Sequence, residues 1–358
     1  MNQGEPIKIV FLYAEVVGYV VGMLKALMRC DRRLEIDVVY FDKKHVNSNQ
    51  FVINGIESIK FHARSSLTNA QIVELLQEIK PDIIVVSGWW DKGYLHAIRR
   101  YRSEGGLVQV VCGIDDQWKG TIRQYIGIIY FQLFYSKLFD FMWVTGKPQY
   151  HFAQRFGYGN ERIITNLYSA DNEVFHIKAS FSKRFVFVGR FDPIKALDQL
   201  IDAYLSLPED VQSKWPLVLI GDGQLRQYIE NKKNNNIVLK PFLQPGDLMK
   251  ELMQGGVSCL ASHSEQWGVA IHEMAILGYP FVLSSACGAA TEFLISGYNG
   301  FMFRRSHTSS LRDALLKITM LSDEELKLFS QRSHAMGQRI TSEHTAYSLL
   351  SVIPLSKI

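Results

Sequence analysis

The chain has 358 residues, of which 47% are hydrophobic and 21% are charged, and its net charge is +4. This is the composition of an ordinary globular protein, and the length favours two domains, because a single core stops growing at about 250 residues. Lys and Arg outnumber Asp and Glu by 20 to 16 in residues 1–170 and equal them at 19 in the remainder. For this basic half, a domain without an anionic partner is favoured over contact with a phosphorylated lipid or membrane.

Signals of several other protein classes are missing from the sequence. The four cysteines are far apart and have neither metal-binding nor redox spacing, so we expect reduced core cysteines in a cytoplasmic protein. Residues 1–12 do not fit a signal peptide, because Glu5 lies in the would-be basic region and Glu15 interrupts the apolar stretch. The longest apolar run, residues 125–135, is too short to span a bilayer.

The first half of the chain alternates strand-like and helical patterns. Residues 8–14 form an apolar run typical of a strand that is buried on both faces, and a loop with Gly18 leads into a helix. Gly18 either lets a ligand approach or serves close helix packing. Further strand-like runs lie at residues 35–41, 58–62, 82–87, 108–112, 141–145 and 162–166. Strands that alternate with helices predict a parallel sheet covered on both faces.

Aromatic and acidic residues follow two of these strands. Trp89 and Asp91 come after one strand, and Asp115, Asp116 and Trp118 come after another. Ligands of open parallel sheets bind beyond the carboxyl ends of the strands. An exposed Trp beside an Asp holds a sugar by ring stacking and hydroxyl acceptance. These residues are therefore candidates for a sugar-binding site, while Trp residues that close the edge of the core are an equal alternative.

An aromatic-rich segment with basic flanks covers residues 121–141. A helix of this kind lies on a membrane interface. A helix that is buried between a sheet and its neighbours has the same pattern. We favour burial for most of this segment.

The second half begins after a predicted linker. Turn-forming residues 166–175 and the Lys- and Ser-rich residues 176–184 separate the two halves. A strand at residues 184–188 then leads into a turn and a helix. Asp192 fits the N-cap of that helix and Pro193 its first position. The apolar face of the helix is predicted to start at Ile194.

Two cations lie at the predicted start of this helix. Arg190 precedes the cap and Lys195 falls in the first turn. Cations are unfavourable at a helix N-terminus unless an anion joins them. The pair therefore predicts a bound phosphate group, with two solvated basic side chains as the alternative. Farther on, Gly221 and Gly223 follow another strand and either let the backbone approach a ligand or form a plain tight turn.

A third candidate is the stretch from Ser262 to Ala275. Glu265 and Glu273 are separated by seven residues, and a buried strand at residues 256–260 comes just before them. The pattern places Glu265 in a strand-to-helix loop and Glu273 on the helix. Backbone N–H groups near Gly268 would point into the same space, which predicts an anion site beside two acceptors of sugar hydroxyls. The alternative is a surface helix with two solvated glutamates.

Together these motifs resemble the family 4, or group 1, glycosyltransferases. The resemblance extends over residues 162–320 and is carried by four motifs in order: residues 188–195, residues 220–223, the pair Glu265 and Glu273, and residues 297–301. Members of this family are retaining enzymes with the GT-B fold, an α/β fold of two Rossmann-like domains that face each other across a cleft. They use nucleotide-diphosphate sugars. Residues 1–160 match only the general layout of the acceptor-binding half.

The resemblance implies a role for each matching position. Arg190 and Lys195 would neutralise the diphosphate of the donor and the charge that develops as the sugar leaves. Glu265 would contact hydroxyls of the transferred sugar, and Glu273 would accept hydrogen bonds from the ribose. The other donor-binding candidates are Gly189, Gly221 and Gly223 near the nucleotide, Leu243 at the base, and the backbone of Trp267, Gly268 and Val269 at the sugar or phosphate.

The sequence departs from the family pattern at some positions. The N-terminal histidine of some relatives has no clear match, and Asp115, Asp116 and Trp118 lie in a plausible sugar-facing loop instead. Trp267 and Gln266 replace different or smaller residues, which bears on the choice of donor. There is no Asp-x-Asp motif, so transfer without a metal ion and without a cofactor is expected, with Arg190 and Lys195 supplying the charge.

The predicted protein is thus a retaining, metal-independent glycosyltransferase of surface polysaccharide or glycoconjugate synthesis. It would take a UDP- or GDP-linked sugar and a saccharide or lipid-linked acceptor, with peripheral membrane contact as an option and no nucleic acid. An inactive nucleotide-sugar-binding subunit and a GT-B-like epimerase are the alternatives. The predicted domains are residues 1–168 for the acceptor, residues 169–337 for the donor, and a segment 338–358 that packs back on the first.

Overall fold

The computed structural model describes residues 5–42, 56–354 and 357. Residues 1–4, on which part of the expectation about a signal peptide depends, lie outside this range. The chain divides into two compact units. The first includes Met1–Asn172 and Ile340–Ile358, and the second is Glu173–Arg339.

Both units are built from a parallel sheet with helices between the strands. The strands of the first unit are β1 (Ile7–Tyr13), β2 (Leu34–Tyr40), β3 (Lys60–Ala63), β4 (Ile83–Val86), β5 (Gln109–Ile114), β6 (Phe141–Val144) and β7 (Ile163–Ile164). Those of the second unit are β8 (Phe185–Val188), β9 (Leu217–Ile220), β10 (Ile237–Lys240), β11 (Val257–Leu260), β12 (Phe281–Ser284) and β13 (Gly300–Phe303).

Helices follow most of these strands. They are α1 (Gly18–Cys30), α2 (Asn69–Ile79), α3 (Lys92–Ser103), α4 (Ile122–Phe134), α5 (Lys147–Arg155), α6 (Leu197–Leu205), α7 (Glu209–Lys214), α8 (Arg226–Lys232), α9 (Pro245–Leu252), α10 (Val269–Ile276), α11 (Ala290–Phe293), α12 (Thr308–Thr319), α13 (Asp323–Gly337) and α14 (Ser342–Leu350). Short 3₁₀ turns lie at Arg64–Ser66, Asn160–Arg162 and Pro193–Lys195.

The sheet of the first unit has the order β3-β2-β1-β4-β5-β6-β7. Its central strands are apolar and buried on both faces, as the continuous hydrophobic runs predict. Helices α1 and α14 pack together on one face, where Ala346 and Leu349 join the core of α1 and β1. The strand order reverses between β1 and β4. The loops after these two strands are joined by a hydrogen bond of 2.8 Å from the amide of Ala14 to the Ser87 hydroxyl.

The sheet of the second unit has the order β10-β9-β8-β11-β12-β13, and every pairing in it is parallel. Strands β9, β11 and β12 are fully buried. The order reverses between β8 and β11, so the loops that follow these two strands lie side by side at the carboxyl edge. Ligands of open α/β sheets bind at this kind of position, and both loops contain predicted site residues.

The predicted helix start at Asp192 is wrong in detail. Asp192 precedes the 3₁₀ turn Pro193–Lys195, and its side chain makes no capping hydrogen bond. Ala196 then adopts a left-handed conformation with φ of 52°, and the α-helix begins only at Leu197. Ile194 is 47% exposed and does not belong to the apolar face of α6. The left-handed residue turns the chain, so Lys195 lies in the 3₁₀ turn that precedes α6 and not in the first turn of the α-helix.

The predicted burial of the segment around residues 121–141 is also wrong for most of α4. Phe131 is fully buried, but seven large apolar side chains of this helix are each at least half exposed. We call this surface the α4 face; it comprises Ile122, Tyr125, Ile126, Ile129, Tyr130, Leu133 and Phe134. Among the described residues, no helix is both long and apolar enough to cross a membrane.

Candidate functional site

The candidate site of the second unit is built from the loops that follow β8 and β11. The amide of His263, in the second loop, donates to the carbonyl of Ile194, in the first, at 2.9 Å. The imidazole Nδ1 of His263 lies 2.9 Å from the Ser306 hydroxyl. The backbone bond holds the two loops against each other at the point where the strand order reverses, and the Ser306 contact ties the second loop to the segment after β13.

Lys195 and Glu265 are brought together by this arrangement. The Lys195 ammonium and one Glu265 carboxylate oxygen form a direct ion pair. The same oxygen lies 3.4 Å from the buried Ser262 hydroxyl. The side chains of Lys195 and Glu265 are 18% and 16% exposed, so both are largely buried. An ammonium carries three donors and keeps two for other acceptors when one is used by a carboxylate.

Arg190 lies in the same loop but is arranged differently. Its side chain is 67% exposed, and its guanidinium pairs with the Asp192 carboxylate at 3.1 Å. An exposed ion pair of this type contributes little to stability, typically about 0–1 kcal/mol. The Arg190 side chain can therefore turn toward an incoming anion at small cost.

The glycines of the loop after β9 are required for contact between loops. A Cβ atom added at Gly221 would lie 1.9 Å from the carbonyl oxygen of Gly189, and Gly221 has a φ of 147°. A Cβ atom added at Gly223 would lie 2.8 Å from the backbone nitrogen of Phe191. The amide of Phe191 also donates to the carbonyl of Asp222 at 2.8 Å. This close packing fixes the path of the loop that carries Arg190 and Lys195. The interpretation of the two glycines as a plain tight turn did not predict this contact between loops.

Trp267, Gly268 and Val269 form the entry into α10. Gly268 has a φ of 92°, and a Cβ atom at this position would lie 2.9 Å from Cγ of Glu265. Trp267 is only 3% exposed, so its side chain belongs to the core, where its ring meets Phe293 edge-on. The Trp267 indole Nε1 is buried and has no hydrogen-bond partner among the described residues. The backbone of this segment, and not the Trp267 ring, is thus what a ligand at the surface can reach.

The two remaining donor-side candidates lie on neighbouring elements. Glu273 is partly buried on α10, where the predicted strand-loop-helix order places it. Leu243 is partly exposed in the loop between β10 and α9.

Glu265 is also supported by the loop after β12, a contact that was not predicted from the sequence. The amide of Glu265 donates to the Ala286 carbonyl at 3.3 Å, and its carbonyl accepts from the Gly288 amide at 3.1 Å. Cys287 lies between them, and burial, with a smaller contribution from the Glu265 charge, raises the pKa of its thiol. The run of small residues from Cys287 to Ala290, at the end of a strand adjacent to β11, was the signal that could have indicated this contact.

In the first unit, three candidates have structural roles. Trp89 packs against Phe131 and Phe156, with ring centroids 5.1 Å apart in both pairs. The Trp118 ring is covered by the Arg155 guanidinium at 4.5 Å. Both Trp residues are partly buried and pack against the core, as the alternative interpretation expects, and their part in sugar binding stays a prediction. Asp91 caps α3 by accepting a hydrogen bond of 2.7 Å from the amide of Tyr94.

Other acceptor-side candidates lie at the carboxyl edge of the same sheet. Gly18 is the first residue of α1, after β1. Asp115 follows β5, and burial, with a smaller contribution from the Asp116 charge, raises the pKa of its carboxyl group. Asp116 is exposed. Trp90, which lies between the candidates Trp89 and Asp91, is 57% exposed and packs on Phe41, with ring centroids 5.1 Å apart. It is the more accessible indole of that loop.

The sequence of the second unit matches a known family. Residues 171–340 match the family model described as "Glycosyl transferases group 1". The chain is 32% identical over 149 residues to an uncharacterized glycosyltransferase of Methanocaldococcus jannaschii, which covers 40% of this chain and 39% of the relative. It is 24% identical over 164 residues to an N-acetylgalactosaminyltransferase of Campylobacter jejuni that acts on an undecaprenol-linked saccharide, with 46% of each chain covered. The match thus spans less than half the length of these curated relatives.

Solved structures resemble the whole chain. The Anabaena protein HepE in complex with UDP and glucose has a TM-score of 0.72, with 15% identity, over 98% of this chain and 100% of that one. A lipopolysaccharide outer core galactosyltransferase has a TM-score of 0.71, with 14% identity, over the same shares. At this identity the likeness shows the fold. The predicted GT-B fold, with two α/β domains that each contain a parallel sheet, is confirmed.

Proposed function

We propose that the protein transfers a sugar from a nucleotide-diphosphate sugar to a saccharide or lipid-linked acceptor, because residues 171–340 match the model of the group 1 glycosyl transferases. The observation that carries this proposal is the Lys195–Glu265 pair at the point where the strand order of the second sheet reverses. Open α/β sheets bind nucleotides at this position. Lys195 offers a cation for the diphosphate of a sugar nucleotide, and Glu265 offers an acceptor for the hydroxyls of its sugar.

The proposed reaction retains the configuration of the anomeric carbon. The bond from this carbon to the diphosphate oxygen breaks, and a bond from the same carbon to an acceptor hydroxyl oxygen forms on the same face. The proton of the hydroxyl passes to the departing diphosphate, which leaves as a nucleoside diphosphate. No protein nucleophile or cofactor takes part in this scheme. Its main requirement is stabilisation of the charge on the leaving diphosphate.

Lys195 and Arg190 supply that positive charge in the proposal. Lys195 is held in place by Glu265 and is largely shielded from water, which strengthens its interaction with an anion. Arg190 is exposed and only loosely paired with Asp192, so it can join the diphosphate when the donor binds. The charge expected from a metal ion in other transferases would then come from these two side chains.

The other donor contacts follow from the same placement. Glu265 accepts hydrogen bonds from hydroxyls of the sugar, and Glu273 accepts them from the ribose. The amides at Gly268 and Val269, at the start of α10, face the sugar or phosphate. In this proposal Gly189, Gly221 and Gly223 shape the loop beside the nucleotide, and Leu243 contacts the base.

The acceptor is proposed to bind at the carboxyl edge of the first sheet. Asp115 and Asp116 offer hydroxyl acceptors there, and Gly18 opens the neighbouring helix. The C. jejuni relative, which acts on an undecaprenol-linked saccharide, supports a lipid-linked acceptor and a role in glycoconjugate synthesis. The two solved neighbours, one with UDP and glucose and one of lipopolysaccharide synthesis, support the same class of donor and pathway.

A panel of UDP- and GDP-sugars tests this proposal. The matching donor at 100 times its Kd should stabilise the protein by about 2.7 kcal/mol, measured as a rise in the thermal unfolding midpoint. With a suitable acceptor, the same donor should release nucleoside diphosphate. NMR should show that the new glycosidic linkage has the same anomeric configuration, α or β, as the donor sugar. Stabilisation without release for any acceptor would indicate a binding subunit. The absence of any shift across the panel would contradict the proposed function.

A further inference from the structure

The α4 face has the spacing of an amphipathic helix, but its apolar stripe points away from the protein. Counted from Ile122, its members recur at steps of three and four residues, which places them on one side of the helix. All seven side chains are 51–80% exposed. They are more than a third of the 20 large hydrophobic side chains that are exposed among the described residues. A contiguous apolar surface of this kind marks an interaction site.

The opposite side of α4 is apolar as well and is covered by the first unit. Phe131 is fully buried, and its ring lies 4.5 Å from that of Phe156. Ile128 packs on the same core. A helix that is hydrophobic nearly all round is normally buried on all sides. In α4 one side is buried against the core of the first unit, and the other side is exposed and open to a partner.

The charge around α4 identifies the partner. Residues 117–139 contain Lys119, Arg123 and Lys137 but no Asp or Glu. These three side chains are exposed, and so is Arg99 on α3, which donates to the Phe134 carbonyl at 2.8 Å. Basic residues that border an apolar stripe match a surface that is anionic outside and apolar within. Tyr125 and Tyr130 add rings with a polar end, which suit the boundary between water and hydrocarbon.

We propose that the α4 face docks on the surface of a lipid bilayer with anionic headgroups. At 1.5 Å per residue, the helix is about 20 Å long, and it needs to lie flat in the interface, because spanning takes about 20 residues. A second copy of the chain fits less well. A symmetric contact between two α4 faces would bring Arg123 and its basic neighbours close to the same residues of the second copy. Residues 117–139 contain no acidic residue to pair with these cations, so the contact would be repulsive. This docking goes beyond the proposed function and needs no sugar transfer.

Vesicle co-sedimentation of the whole chain tests the proposal. One set of vesicles contains phosphatidylcholine with about one-third phosphatidylglycerol, and the other contains phosphatidylcholine alone. The wild-type protein should bind the anionic vesicles at least tenfold more tightly, and added salt should weaken the binding. Ile129→Ser with Leu133→Ser should lower the affinity at least tenfold. Arg123→Gln with Lys137→Gln should bring it to the level of neutral vesicles.

A matched control removes two exposed apolar side chains elsewhere. Leu107 and Met320 are 93% and 78% exposed and lie outside α4, so Leu107→Ser with Met320→Ser should leave vesicle binding unchanged. Hydrogen exchange of the wild-type protein gives a readout that needs no variant, since vesicles should protect the amides of α4. The proposal would be overturned if the protein did not bind anionic vesicles, or if the control variant lost as much binding as the α4 variants. It would also be overturned if the protein formed a dimer that the α4 variants abolish while vesicles do not bind.

Discussion

The amide of His263 donates to the carbonyl of Ile194 at 2.9 Å, and this bond between two loops holds the charged pair of the candidate site together. Ile194 is next to Lys195, and His263 is two residues before Glu265. A backbone bond at this place fixes the approach of the two side chains without using either of them. The main chain thus preorganises the site, and this backbone bond does not depend on the side chains of Lys195 and Glu265.

Replacing the two cations should slow sugar transfer. Lys195→Ala and Arg190→Ala are each expected to reduce kcat about 10²-fold or more, because each removes one charge that stabilises the leaving diphosphate. Lys232→Ala is the control, since Lys232 forms a surface ion pair with Asp202 in the same unit, at 3.0 Å. Release of nucleoside diphosphate measures the rates. Near wild-type turnover in both variants would rule out the phosphate assignment.

Gly221→Ala should destabilise the second unit. The new Cβ atom would lie 1.9 Å from the Gly189 carbonyl oxygen, and the φ of 147° is strained for alanine. We expect a loss of about 2 kcal/mol or more in the free energy of unfolding, as for other forced backbone shifts. Gly246→Ala is the control, because a Cβ atom there meets nothing within 4 Å. Urea denaturation compares the two, and an equal effect would contradict the close packing of the loops.

The stability of the second unit should fall in acid through Glu251. Burial raises the pKa of this carboxyl group, but hydrogen bonds from Lys240 and Arg184 outweigh the effect and the pKa is lowered from its ordinary value of 4.5. A lowered pKa in the folded state contributes stability above pH 4.5, and this contribution is lost as the pH falls through the folded-state value. Urea denaturation between pH 7 and pH 3 should show the loss.

Glu251→Gln is the matching variant. It leaves the Arg184 guanidinium, which is 8% exposed, without its carboxylate, so about 3 kcal/mol should be lost at pH 7. The variant should also lose stability less steeply than the wild type below pH 4.5. Parallel pH profiles for the two proteins would show that another group is responsible.

The two neighbouring indoles of the first unit should respond differently to replacement. Trp89→Ala should cost about 3–5 kcal/mol in the free energy of unfolding, because it leaves a cavity among Phe131 and Phe156. Trp90→Ala should cost less than about 1 kcal/mol, since more than half of this side chain is exposed. If Trp90 stacks on the acceptor, its replacement should raise the acceptor KM and leave the donor KM unchanged. An unchanged acceptor KM would exclude Trp90 from the acceptor site.

The element pattern of the second unit could be predicted closely from the sequence. Continuous apolar runs predicted β8 and β11 to within one residue, because a strand buried on both faces leaves a signal that needs no knowledge of its neighbours. The start of α6 could not be predicted. Asp192 and Pro193 have the local pattern of a helix start, but the fully buried Ala196 is left-handed and delays the helix to Leu197.

The sequence by itself determined the class of fold and the residues that are available for chemistry. The reason is that the periodicity of hydrophobic residues and the positions of glycines and charged residues are local properties of the chain. The tertiary structure decided which of them meet. It joined Lys195 to Glu265 across 70 positions, packed Trp89 and Trp118 against the core, and left one side of α4 uncovered. The physical reason is that burial depends on the neighbour that arrives from elsewhere in the chain, and an apolar stripe on a helix does not specify whether that neighbour belongs to the same molecule.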